Sequence, residues 1–99
     1  MHRRRLSVPP QHPAFDGHFP GHPIWPGALL LDQVLHALEA ELALDFRDWQ
    51  LGHAKFLHPV QPGAELTLEF EQAGNRVRYT VAQDGVAVLS GALARESGA

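Results

Sequence analysis

Two hydrophobic periods divide this chain. From Gly27 or Ala28 to about Ala43 the apolar residues recur with hardly a polar face: Ala28, Leu29, Leu30, Leu31, Val34, Leu35, Ala37, Leu38, Ala40 and Leu42. A helix of that length reaches roughly 25 Å. Because it is apolar almost all round, other structure has to wrap it. Its polar residues Asp32, His36 and Glu39 stand at i, i+4 and i+7 and so share one stripe. Beyond the helix the period falls to two. The run over 64–72 alternates Leu66, Leu68 and Phe70 with Glu65, Thr67, Glu69 and Glu71, as a half-buried strand does. Gly74-Asn75 then reads as a hairpin turn into Val77, Tyr79 and Val81, and Asp84-Gly85 as a second turn into a last strand, Val86 to Ala94. A two-residue first turn sets Glu71 opposite Arg78 and Phe70 opposite Tyr79.

Two further strands are expected, over 2–8 and 49–57. Between the first strand and the helix lie Pro9, Pro10, Pro13, Pro20, Pro23 and Pro26, too many for a helix or a central strand. A loop of that length needs a function or a docking surface. Pro59, Pro62 and Gly63 mark another loop, and Glu96 to Ala99 a frayed tail. Strand, helix, then four strands in antiparallel connection predict an α+β domain over residues 1–99. In it, about five antiparallel strands curl around one long central apolar helix.

Composition narrows the function classes. Ninety-nine residues fit one compact domain. The absence of cysteine removes disulfides, a thiolate nucleophile and cysteine-ligated zinc, and leans towards a reducing, cytoplasmic setting. The basic start MHRRRLSVPP has no apolar run behind it, so neither a signal peptide nor a membrane span is expected. A net charge of -3 argues against a general nucleic-acid binder. Seven histidines invite a metal reading, but Pro20, Gly21 and Pro23 forbid the helix that would set His18 and His22 on one ion, and no metal is expected. His22 is expected to bond the loop. Trp25 and Trp49 are more often packing residues than ligand contacts.

The chemistry concentrates in FDGHFPGHPIWPGALLLD, Phe15 to Asp32. A histidine in a proline-stiffened loop, a helix beginning and an acid on an apolar helix are the parts needed to move a proton beside a carbonyl. The run GHFPGHPIWPGALLLD resembles the active-site signature of the β-hydroxyacyl-acyl-carrier-protein dehydratases, the FabA/FabZ group of the hot-dog fold. Their pattern, HFPGHPxxPGxLxxE or D, has its acid fourteen residues after the first histidine, and here that residue is Asp32. A softer likeness continues through Ala54-Lys55-Phe56 and Pro59-Val60-Gln61-Pro62-Gly63.

The resemblance implies elimination of water from a β-hydroxyacyl thioester to give the trans-2-enoyl thioester, in fatty acid or related polyketide or polyene synthesis. His18 is then the base that takes the α-proton, and Asp32 the acid that protonates the leaving hydroxyl. The Gly27 N–H at the helix start stabilises the thioester oxygen. Apolar neighbours Leu29, Leu31 and Leu35 favour a protonated Asp32. It further implies a homodimer or higher homo-oligomer in which the histidine of one subunit works with the carboxylate of another. No cofactor is implied beyond the phosphopantetheine arm of the acyl carrier protein that brings the substrate. Phe19, Trp25, Leu30 and Phe56 are candidates for the wall of its tunnel.

Three departures stand out. Asp replaces the Glu of one branch of the family. His36 stands four residues after the acid, where the family usually has Gln, and can either orient Asp32 or ionise it. The basic pair after the Lys-Phe strand is reduced to Leu57-His58, leaving Lys55, Arg47, Arg76 or Arg78 to meet an acidic carrier. The rival readings are a hot-dog acyl thioesterase and a non-catalytic carrier-binding subunit.

Overall fold

The computed structural model describes residues 1–15 and 23–96. Strands β1 (His2–Ser7), β2 (Gln50–Phe56), β3 (Glu65–Ala73), β4 (Arg76–Gln83) and β5 (Val86–Ala94) form one sheet, and helix α1 (Gly27–Leu42) lies between β1 and β2 in sequence. The sheet order is β1-β3-β4-β5-β2 and every pairing is antiparallel. This is the α+β arrangement of five strands and one long helix that the sequence predicts.

Alternation along the strands decides which face is covered. Leu66, Leu68 and Phe70 of β3, Val77, Tyr79 and Val81 of β4, and Leu89 and Leu93 of β5 all point to one buried face. Against it α1 sets Leu30, Val34, Ala37 and Leu38, spaced as one helical face. The two hairpins carry the backbone that their residues permit. Gly74 has φ +59 at the first central position of its turn. Asp84 and Gly85 have φ +51 and +80, the type I′ pair whose twist matches that of the strands. The resulting register puts Glu71 opposite Arg78 and Phe70 opposite Tyr79, the pairs expected from the two-residue turn.

The cover that the sheet gives α1 is not uniform. Within its own chain α1 is covered on one side only. Asp32, His36 and Ala40 are at least partly exposed, and Leu29, Leu31 and Leu35 are not fully buried. A single sheet can lie against only one side of a helix, so the remaining apolar surface of α1 waits for something else. The polar stripe is also not uniform. Glu39 turns away from it, and its Oε2 accepts the Phe46 N–H at 3.0 Å just beyond the helix end. That end is closed by Ala43 in the left-handed region, with the Ala43 and Leu44 N–H groups both donating to the Glu39 carbonyl. Strand β2 lies at the sheet edge, where Leu51, Phe56 and the adjoining Leu57 are exposed.

Tyr79 sits in the buried face, and burial pushes its phenol above the ordinary value of 10.0 by disfavouring the phenolate. The folded chain therefore holds this proton to a higher pH than the unfolded chain. The stability it contributes is complete below pH 10 and is lost as pH rises through the folded value. Urea denaturation between about pH 8 and 11 is expected to show stability falling at the alkaline end, with a shallower fall in Tyr79→Phe. Parallel curves for the two proteins would contradict this.

Candidate active site

The helix start is assembled from three segments. The Trp25 N–H donates to the Val60 carbonyl at 2.7 Å, which fastens the incoming loop to the stretch after β2. Pro26, extended at φ -58 and ψ 137, turns its carbonyl to accept from both the Leu29 and Leu30 N–H groups at 3.1 Å. This leaves the N–H groups of Gly27 and Ala28 without an acceptor among the described residues. They form the positive end of the α1 dipole, a ready partner for a carbonyl or developing oxyanion. Phe56 at the end of β2 packs over Gly27 so closely that a Cβ there would meet its Cε1 at 2.8 Å. Glycine at this position is what lets the ring, or a ligand in its stead, approach the amide.

Around this junction lies an open cleft of about 390 Å³, lined by Ile24, Trp25, Gly27, Leu30, Phe56, Leu57, His58, Pro59 and Val60. Four residues singled out from the sequence, Trp25, Gly27, Leu30 and Phe56, thus meet in one place although they come from a loop, a helix and a strand. Trp25 is only 6 % exposed and is at once core and cleft wall. Phe56 is 51 % exposed, so one side of the cleft is a solvent-facing ring.

Asp32 and His36 do not line this cleft. They lie on the uncovered side of α1, their side chains 63 % and 72 % exposed, with Asp32 Oδ2 3.4 Å from His36 Nδ1. The apolar surroundings expected for the acid are not built by its own chain, because Leu29, Leu31 and Leu35 border it without covering it. The cleft that His36 does line, with Arg4, Arg5 and Gln33, runs between α1 and β1. His18, Phe19 and His22 fall outside the described residues. Among the described residues, no three side chains are grouped as a metal site would need, and no helix is long and apolar enough to cross a membrane.

Several of the basic residues are engaged locally. Arg47 binds Asp45 at 2.7 Å, and this hydrogen bond lowers the carboxyl of Asp45 and raises the guanidinium of Arg47. Arg3 pairs with Glu69 and Arg4 with Glu41, each at 3.5 Å, and Arg78 stands opposite Glu71. Lys55, beside Phe56, forms no ion pair among the described residues. Two further groups belong to the junction: the Val60 carbonyl and Gln33, which accepts the Trp25 indole N–H. The sequence marks out neither, since both act through a return of the chain that no local pattern encodes.

The comparisons with known proteins bear on the family and the fold. Residues 2–92 match the model of a family described as ApeI-like, ApeI dehydratase. The chain is 34 % identical over 108 residues to the 3-hydroxyacyl-[acyl-carrier-protein] dehydratase FabZ of Aliarcobacter butzleri (strain RM4018), covering 95 % of this chain and 70 % of that protein. Among solved structures, the dehydratase heterocomplex ApeI:P from Xenorhabdus doucetiae matches with a TM-score of 0.67 at 24 % identity, over 95 % of this chain and 93 % of that one. A point mutant of the fluoroacetyl-CoA-specific thioesterase FlK matches at 16 % identity with a TM-score of 0.63, over 94 % of this chain and 84 % of the other. These two likenesses carry the hot-dog fold and nothing finer. Taken with the signature at the helix entry, the family match and the identity to FabZ establish that this chain belongs to the FabA/FabZ-like hot-dog dehydratases, in their ApeI-like branch.

Proposed function

We propose that this protein removes water from β-hydroxyacyl thioesters carried on an acyl carrier protein, giving trans-2-enoyl thioesters. The observation that carries the reading is the cleft at the start of α1. There the acceptor-free Gly27 N–H lies beside the apolar walls Trp25, Leu30 and Phe56, in a chain of dehydratase family. An acyl chain is apolar and a thioester carbonyl is an acceptor, so both ends of the substrate find their counterpart there.

In this reading His18, neutral at the outset, takes the α-proton. Electron density moves onto the thioester oxygen, held by the Gly27 N–H and the helix dipole. The β-carbon–oxygen bond then breaks as protonated Asp32 delivers its proton to the departing hydroxyl, which leaves as water. Asp32 faces away from its own chain's cleft, which supports a site completed by a second subunit. That subunit would lie against the uncovered side of α1 and the apolar edge at Leu51, Phe56 and Leu57. It would also supply the low-water surroundings that keep an acid protonated. The 99 residues then act as one unit of a homo-oligomer in the cytoplasm. Lys55 is the basic residue best placed to meet the acidic carrier, since it adjoins Phe56 in the wall of the cleft.

A second reading is favoured by one observation, the 3.4 Å approach of His36 to Asp32. If the imidazole keeps the carboxyl group engaged, the chain binds carrier without turning substrate over. Binding of β-hydroxyacyl carriers of several chain lengths, with none converted, would support it. A thioesterase would instead release free thiol, which a thiol reagent detects.

For the dehydratase, His18→Ala and Asp32→Ala are each expected to lower enoyl formation about 10²–10⁴-fold while the circular-dichroism spectrum is kept. Unfolding the two variants together and refolding them as a mixture is expected to restore about a quarter of the wild-type rate, because half the dimers then carry one intact site. No recovery on mixing would place both residues in the same subunit's site. Gly27→Ala is expected to retain stability to within about 1 kcal/mol, since alanine favours the helix and the exposed Phe56 ring can turn aside. Its kcat should nonetheless fall steeply as the added methyl enters the substrate's space, and an unchanged kcat would remove Gly27 from the site.

A further inference from the structure

Trp25 is the point at which separate segments meet. Its N–H is held by Val60, its indole Nε1–H donates to Gln33 Oε1 at 2.9 Å, and its ring stands edge-on to His12 with centroids 5.0 Å apart. Phe15 packs against the same ring at 5.4 Å, so two ends of the proline-rich stretch touch one another. Gln33 reaches further still: its Nε2 donates to the carbonyl of Ser7 at 3.1 Å. A single amide, donor at one end and acceptor at the other, therefore ties α1 to the end of β1 and to the loop that enters the helix. Trp25 stands just ahead of Gly27, and both line the cleft, which Gln33 does not. Gln33 fills this role only because the indole offers an N–H. With phenylalanine at position 25 its oxygen would have nothing to accept.

We propose that Gln33 is a positioning residue, which by fixing the Trp25 indole sets the wall of the cleft and the direction of the Gly27 N–H. The kinetic half of this proposal rests on the dehydratase reading, whereas the placement of Trp25 does not. A small displacement at the oxyanion donor is costly in rate, because the donor must point at charge that develops only in the transition state.

The test uses the full chain in a Trp49→Phe background, which leaves Trp25 as the only tryptophan. Gln33→Met keeps the length and removes both hydrogen bonds, while Gln33→Glu keeps an acceptor for the indole. Gln33→Met is expected to shift Trp25 emission, to increase its quenching by acrylamide, and to lower kcat about 10–100-fold with KM little changed. Gln33→Glu is expected to recover most of each change. In a Trp25→Phe protein, Gln33→Met should cause little further loss of kcat, because the indole partner is already gone. Lowered thermal stability with kcat and emission unaltered would reduce Gln33 to a brace and overturn the proposal, as would full additivity of the two substitutions. Should the parent protein not dehydrate at all, the dehydratase reading fails by itself, and emission and quenching then decide the placement of Trp25 alone. Should Gln33→Met fail to fold, Gln33→Asn, one methylene short of the indole, is read in the same Trp49→Phe background: shifted emission with a lowered kcat would uphold the proposal, and both unaltered would overturn it.

Discussion

One mismatch governs this molecule: α1 is apolar on nearly every side, and the chain supplies a single sheet to cover it. The side bearing Leu30, Val34, Ala37 and Leu38 is satisfied by β3, β4 and β5. The opposite side, with Leu29, Leu31, Leu35 and the Asp32–His36 pair, is left partly in water. Apolar surface left in contact with water is a standing drive towards association. The same drive acts at the β2 edge, where Leu51 and Phe56 are exposed on the outermost strand of the sheet. The β2 edge adjoins the cleft through Phe56, so whatever covers that edge also borders the cleft.

The second constraint is local. A helix start is useful chemically only if its first N–H groups stay unpaired and still point in a fixed direction. Here the direction is held without a side-chain cap. Pro26 sets the entry angle, the Trp25–Val60 hydrogen bond anchors it, and the missing side chain of Gly27 leaves the approach open. An ordinary serine or aspartate cap would satisfy N–H groups of the same turn and so use up donors.

Much of this is legible in the residues alone, and the physical reason is the range of the interactions involved. Strands with strict alternation and hairpins with Gly74-Asn75 and Asp84-Gly85 are fixed by neighbours in sequence, and the register of the first hairpin follows from its turn to the residue. The convergence of Trp25, Gly27, Leu30 and Phe56 is legible only through the family signature, because no period links a loop tryptophan to the end of a strand. Spacing alone puts Glu39 on the Asp32 stripe, whereas tertiary packing gives it the Phe46 N–H. Gln33 is illegible for the same reason: on the helix it is one polar residue beside an acid, and its role exists only once Ser7 and Trp25 return to it. The expectation of a sheet around one long apolar helix holds, and what composition cannot say is which side of α1 the sheet covers.

That last point bears on how the acid works. A general acid must arrive protonated, and a protein favours the neutral carboxyl chiefly by taking water away from it. Asp32 stands partly in water in its own chain, 3.4 Å from the His36 imidazole. On the dehydratase reading proposed above, folding alone does not complete the surroundings of the acid; a cover over the α1 face would. On that reading catalysis and assembly are one event in physical terms, since the surface left open to association is the surface that carries Asp32.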